Sequence, residues 1–239
     1  MGFQRTPEQL SKEIDSLQRD VFYAKVHFDI FNGLRNSWSE YIREIQNSPC
    51  FWDFTMRAHI DACIIRLCRI YDEDGSAFHL TRFLEESIRR NPNLFSEAAF
   101  RERLKNETDR DVDELALAKY RRNLNHEQLK KELWFCSNDN PLVRNLREWR
   151  NNMVAHFNYN EAINQSEPFH KRHPLLFEHI QELIDEAFSI VNNYSSLFRA
   201  SVYSTEFASK QHTDYLFVLN SVKAYLEAER LRWEKPSTI

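Results

Sequence analysis

An arginine, two asparagines and a histidine stand close together in Leu146–Tyr159, which reads LREWRNNMVAHFNY. They are Arg150, Asn151, Asn152 and, six positions after the arginine, His156. These side-chain types can cut RNA without a metal. An imidazole titrates near neutral pH, so it can take the 2′-hydroxyl proton or protonate the leaving oxygen. A guanidinium can hold the scissile phosphate through two parallel hydrogen bonds and stabilise the charge that builds there. Asn151 could orient either group or the phosphate. The 2′-hydroxyl is itself the nucleophile, so no serine or cysteine is needed, and RNA rather than DNA would be cut. Arg147, Asn152 and Tyr159 are the neighbouring candidates for RNA contact.

The residues need a scaffold, and the apolar spacing supplies one. Leu146, Trp149, Met153 and Phe157 recur at steps of three and four, which predicts an amphipathic helix ending after Phe157. On an ideal helix, six steps of about 100° put His156 roughly 120° from Arg150. One chain therefore does not bring the two together unless the helix ends between them or a second subunit completes the site. The bland alternative is a surface arginine plus a histidine satisfied at a helix terminus. Arg144, Arg147 and Arg150 form a drifting basic ridge that would steer phosphates; Arg144 alone reads as an ordinary solvated side chain.

Few glycines (3) and prolines (7) in 239 residues argue against a turn-rich β fold, and 42% hydrophobic residues suit a buried core. Thr6-Pro7 with Gln9 opens a helix expected to run to about Asn47, with Gly33 as a place to bend. A second helix is expected from about Phe51 to Tyr71. In it Arg66 and Arg69 interrupt the apolar pattern, which suggests ion pairs with Asp61, Asp72 or Asp74. Ser76 should cap a third helix over Ala77–Arg90. Glu97 to about Phe135 reads as charged and helical, with an exposed elbow at KNETDRD. Asn140-Pro141 is a helix start, Asn158–Pro174 a polar loop, and Pro174 restarts a strongly amphipathic helix. A last helix is expected over 213–233. The expectation is an all-α antiparallel helical bundle forming one domain, 1–239, with the terminal helix as an appendage.

Net charge is −4, which argues against a general nucleic-acid coat but leaves room for a local basic pocket. Cys50, Cys63, Cys68 and Cys136 have no CxxC spacing and fit reduced thiols in a cytoplasmic setting. Charged residues interrupt every apolar run short of a membrane span. His170, His173 and His179 lack the partners of a recognised zinc spacing, so no metal is expected. His59 and Cys63 read as a core histidine beside a buried thiol. With glycine only at positions 2, 33 and 75, no phosphate-binding loop exists, and no cofactor is expected.

RNNMVAH, from Arg150 to His156 and followed by Phe157, resembles the signature of the HEPN superfamily. Residues 57–87, RAHIDACIIRLCRIYDEDGSAFHLTRFLEES, look like the matching part of its AbiU-like abortive-infection branch. That resemblance implies a helical bundle that dimerises so that two Arg/His motifs face one cleft. It also implies a metal-independent ribonuclease of toxin–antitoxin or phage-defence systems, with an antitoxin or defence protein as partner. Carried over to this chain, Arg150, Asn151 and His156 take the functional positions. The chain departs from HEPN toxins that carry a modified tyrosine two residues after the histidine, because Asn158 stands there and Tyr159 follows. The alternative implied by the same resemblance is a non-catalytic helical module binding nucleotide, RNA or a partner protein.

Overall fold

The computed structural model describes residues 4–107, 124–154, 169–204 and 213–234. Its helices are α1 (Pro7–Ser37), α2 (Ile42–Gln46), α3 (Pro49–Ile70), α4 (Leu80–Arg82), α5 (Glu97–Glu107), α6 (His126–Phe135), α7 (Pro141–Trp149), α8 (Phe169–Arg172), α9 (Phe177–Arg199) and α10 (Asp214–Glu234). No strand occurs among the described residues, so the fold is all-α, as the scarcity of turn residues predicts. The bounds of α9 and α10 lie close to those read from the apolar period.

Three elements differ from expectation. The first helix breaks after Ser37 rather than running to Asn47, and it is continuous through Gly33. Asn36, Ser37 and Ser39 are poor helix interiors because their side chains compete for backbone groups. The break lets Tyr41 and Ile45 turn into the core. The third helix starts at Leu80, capped by His79 rather than Ser76, and widens into a π-helix over Phe83–Arg89. In the charged run from Glu97 to Phe135, α6 starts afresh at His126 with Asn125 as its cap, and most of the expected elbow lies outside the described residues.

The chain divides into two compact units, residues 1–23 with 64–203 and residues 24–63 with 204–239. In the first, Ile180, Leu183, Ile184, Ala187, Phe188, Val191, Tyr194 and Phe198 of α9 are buried. Steps of three and four put them on one stripe, and Tyr194 meets the ring edges of Phe83 and Phe95. Tyr71 Oη donates to the Leu183 carbonyl at 2.7 Å and ties the end of α3 to α9.

Glu132 ties α6 to the same helix. It is 2% exposed and accepts hydrogen bonds from Tyr194 Oη, Gln128 Nε2 and Asn193 Nδ2. Burial pushes its carboxyl above the ordinary range, while these donors pull it back. In the second unit α10, expected as an appendage, packs on α2. Leu219 sits with Leu34, Tyr41, Ile45 and Trp52 in one buried cluster, and Tyr41 Oη donates to Asn220 Oδ1 at 3.0 Å.

Gly33 has a packing reason. A Cβ there would lie 2.2 Å from Tyr215 Oη and 2.6 Å from its Cζ, so α10 approaches α1 where a side chain is missing. Gly33→Ala should therefore destabilise the protein by about 1–3 kcal/mol through overpacking, although alanine in an open helix stabilises by about 0.5–1 kcal/mol. The sign of the shift in urea midpoint decides between the two. Glu132 gives a pH-dependent prediction. Its folded-state pKa is raised, so the folded chain holds this proton more tightly, and its contribution to stability is lost as pH rises through the raised value. Urea unfolding across this range should show a smaller decline with pH in Glu132→Gln than in the wild type. Equal slopes would mean that this carboxyl does not set the trend.

Candidate active site

The helix that carries the motif is fixed first at its start. Asn140 Oδ1 accepts the Leu142 N–H at 3.0 Å, and Asn140 Nδ2 donates to the Phe135 carbonyl at 2.8 Å. Pro141 occupies the first helical position, where its missing N–H costs nothing. Val143 and Leu146 are buried, and the Cys68 thiol points at the Leu146 carbonyl at 3.8 Å. Burial pushes that thiol up to about 12, so it stays protonated and inert.

Arg147, expected as an RNA contact, falls on the buried side and is 7% exposed. Its Nε donates to the Tyr71 carbonyl at 2.8 Å. Its Nη1 donates to Glu73 Oε2 at 2.9 Å and to Asn138 Oδ1 at 2.6 Å. Its Nη2 donates to the carbonyls of Asp72 and Cys136, at 3.3 and 3.2 Å. An arginine has five N–H donors, and these bonds use them all. Burial works against its charge, and Glu73 and Asp72 support it. The side chain closes the carbonyl end of α3 and holds the loop after it against α7. Its reach is spent inside the protein.

One turn further on, Arg150 Nη1 donates to Asp72 Oδ1 at 2.7 Å, with 35% of the arginine side chain exposed against 8% of the aspartate. The same oxygen accepts the N–H groups of Glu73 and Asp74, at 2.8 and 3.2 Å. Asp74 accepts in turn from the Ser76 N–H and hydroxyl, which holds its carboxyl below the usual range. Behind this loop lies buried His79. Its Nδ1 accepts from the Arg82 N–H at 3.3 Å, and burial lowers its pKa against the opposing pull of Asp72. Among the described residues Asp72 is the one acceptor for Arg150, and about a third of the arginine side chain is exposed.

The motif does not continue as an ideal α-helix. From Arg150 to Val154 the backbone is a π-helix. Asn152 Nδ2 donates to the Glu148 carbonyl at 3.0 Å and to its carboxylate at 2.9 Å. That carbonyl is the i−4 acceptor which the Asn152 N–H would use in an α-helix, so the side chain competes for it and favours the wider turn. Asn151 is exposed and Asn152 half-buried. His156, Phe157 and Tyr159 lie outside the described residues. Trp149, on the expected apolar stripe, donates from Nε1 to the His173 carbonyl at 2.7 Å and packs edge-on to buried Phe169.

Other expectations resolve as follows. Arg144 is exposed. Arg66 and Arg69 pair with Asp20, at 2.9 and 3.2 Å, not with Asp61, Asp72 or Asp74. His59 is half-buried and its Nδ1 lies 2.9 Å from His27 Nδ1, so its partner is a second histidine. His179 Nδ1 accepts the Leu176 N–H at the start of α9. No cluster of metal-ligating side chains occurs among the described residues. All four cysteines are free thiols. No described helix is long and apolar enough to cross a membrane. Sequence reading missed the Asp72–Arg150 pair and the buried role of Arg147. The available signal was position: Arg147 lies four residues after Val143 and beside Leu146, inside the buried stripe.

Arg147→Ala strands the buried carbonyls of Tyr71, Asp72 and Cys136 without their donor. It should destabilise the protein by about 2–5 kcal/mol, because each buried carbonyl left without a donor costs about 1–3 kcal/mol. Arg144→Ala, on the solvent side of the same helix, should stay within about 0.5 kcal/mol. Urea unfolding of both variants checks this; equal effects would contradict the burial argument.

A family model for HEPN AbiU2, described as AbiU2, matches residues 2–216. No curated protein and no solved structure matches the chain. The match takes in the loop that holds Asp72, all of α7 and the whole Arg150–His156 motif. The chain belongs to the AbiU2 family of HEPN proteins.

Proposed function

We propose that the protein is a metal-independent HEPN endoribonuclease acting as a toxin or phage-defence effector in abortive infection. The observation that carries this reading is Arg150. It is the motif arginine, it is anchored by a buried carboxylate, and it keeps a partly exposed fork beside exposed Asn151. Arg150 would hold the scissile phosphate and stabilise the extra negative charge of the transition state. His156 would move the proton, either from the 2′-hydroxyl or to the leaving 5′-oxygen. Attack by the 2′-oxygen breaks the bond to the 5′-oxygen and leaves a 2′,3′-cyclic phosphate. Asn151 would orient the phosphate, with Asn152 and Tyr159 as further RNA contacts. Arg147 serves this site as a positioning residue.

Asp72 neutralises part of the charge on Arg150, so phosphate affinity here rests on directed donors more than on net charge. The complete site is composite. Two copies of the chain, each acting as one domain of residues 1–239, would bring two motifs to one cleft, in a cytoplasmic protein controlled by an antitoxin or defence partner.

Mixed RNA incubated with purified protein in EDTA should be cut. Arg150→Ala and His156→Ala should each lower kcat by roughly 100-fold or more, as loss of a charge-stabilising donor or a general acid–base does. Equal cleavage by all three folded proteins would sink the catalytic reading. RNA binding without any product, surviving His156→Ala, would mark a non-catalytic module instead.

A further inference from the structure

The buried carboxylate of Asp72 is the internal partner of the motif arginine. We propose that Asp72 is a positioning residue for Arg150: it occupies one Nη1 proton so that the remaining edge of the guanidinium faces the scissile phosphate. The inference rests on the ribonuclease reading above.

Three observations converge on this role. The Nη1–Oδ1 distance is 2.7 Å, and the carboxylate is far less exposed than the guanidinium. The pair therefore has an anchored end and a presenting end, because a buried carboxylate with fixed bonds has few alternative positions. The anchoring is redundant. Asp72 Oδ1 also accepts the N–H groups of Glu73 and Asp74, and the Asp72 carbonyl accepts from Arg147 Nη2. Arg147 and Arg150, three residues apart on one helix, thus grip the same loop residue, one through its backbone and one through its side chain. Finally, the helix widens at Arg150. The Arg150 N–H still bonds the Leu146 carbonyl, so the side chain leaves the last regular turn, and Asp72 supplies the fixed contact that selects its direction.

Mispositioning a transition-state donor is costly: an error near 1 Å lowers rate about 100-fold. Binding of RNA spreads over many contacts and should change less. The role therefore predicts a loss in kcat with little change in KM.

Asp72→Asn is the discriminating variant, because its amide oxygen can still accept the Glu73 and Asp74 N–H groups while the charge is removed. With mixed-sequence single-stranded RNA in EDTA, folded Asp72→Asn should lose roughly 10- to 100-fold in kcat, with KM within about threefold of the wild type. Asp72→Glu, which keeps the charge, should recover part of kcat. Unchanged kcat in folded Asp72→Asn, or an effect confined to KM, would overturn the proposal. A second readout needs no activity: the side-chain ¹⁵N resonances of Arg150, assigned by their disappearance in Arg150→Lys. Hindered rotation should resolve the two Nη groups in the wild type and average them in Asp72→Asn. Averaging in both proteins would overturn the positioning role. Resolved Nη groups in a wild-type protein that cuts no RNA would support the pair while removing the ribonuclease reading.

Discussion

The arrangement around the motif depends on one buried cation. Arg147 spends its five donors on carbonyls and side chains from the end of α3, the loop after it and the turn before α7. Buried charge is tolerated only when it is paired and hydrogen-bonded, so these segments are held to one geometry. Were the guanidinium replaced, the carbonyls of Tyr71, Asp72 and Cys136 would lose their donor away from water. Asp72 then stands where Arg150 can reach it, and the motif arginine acquires a direction.

This divides labour between two arginines of the same type. Arg147 is buried and has no spare donor; Arg150, one turn on, is partly exposed and, among the described residues, bonds Asp72 alone. Of the two, Arg150 is the one with side-chain surface open to solvent. The local charges nearly balance, with two guanidiniums against Asp72 and Glu73. On the proposed reading, a phosphate would be favoured by the directed fork rather than by a field that would draw any polyanion. That fits the acidic balance of the whole chain.

Much of the scaffold was legible in the sequence because it follows from short-range rules. Asn140-Pro141 reads as a helix start and is one, since a capping amide and a proline at the first position act locally. The stripe along α9 reads correctly because its period is unbroken. Arg147 was misread because three arginines spaced three apart suggest a solvated ridge, and burial of a charge depends on carbonyls roughly 75 residues away in sequence. The widened turn at Arg150 was also hidden. An ideal 100° step assumes that the Glu148 carbonyl serves the backbone, whereas the Asn152 side chain takes it. The break after Ser37 and the start at Leu80 were missed for a related reason: local breakers were visible, but tertiary packing chose among them.

The central claim is that Arg150 and His156 act together across two copies of the chain. Co-expression of Arg150→Ala with His156→Ala tests it directly, because a mixed dimer then holds one site with both groups intact and one with neither. Each variant alone should be inactive on RNA in EDTA. Random pairing makes half the dimers mixed, so the co-expressed protein should recover about a quarter of wild-type cleavage. Co-expressed dimers as inactive as either variant alone would contradict the account.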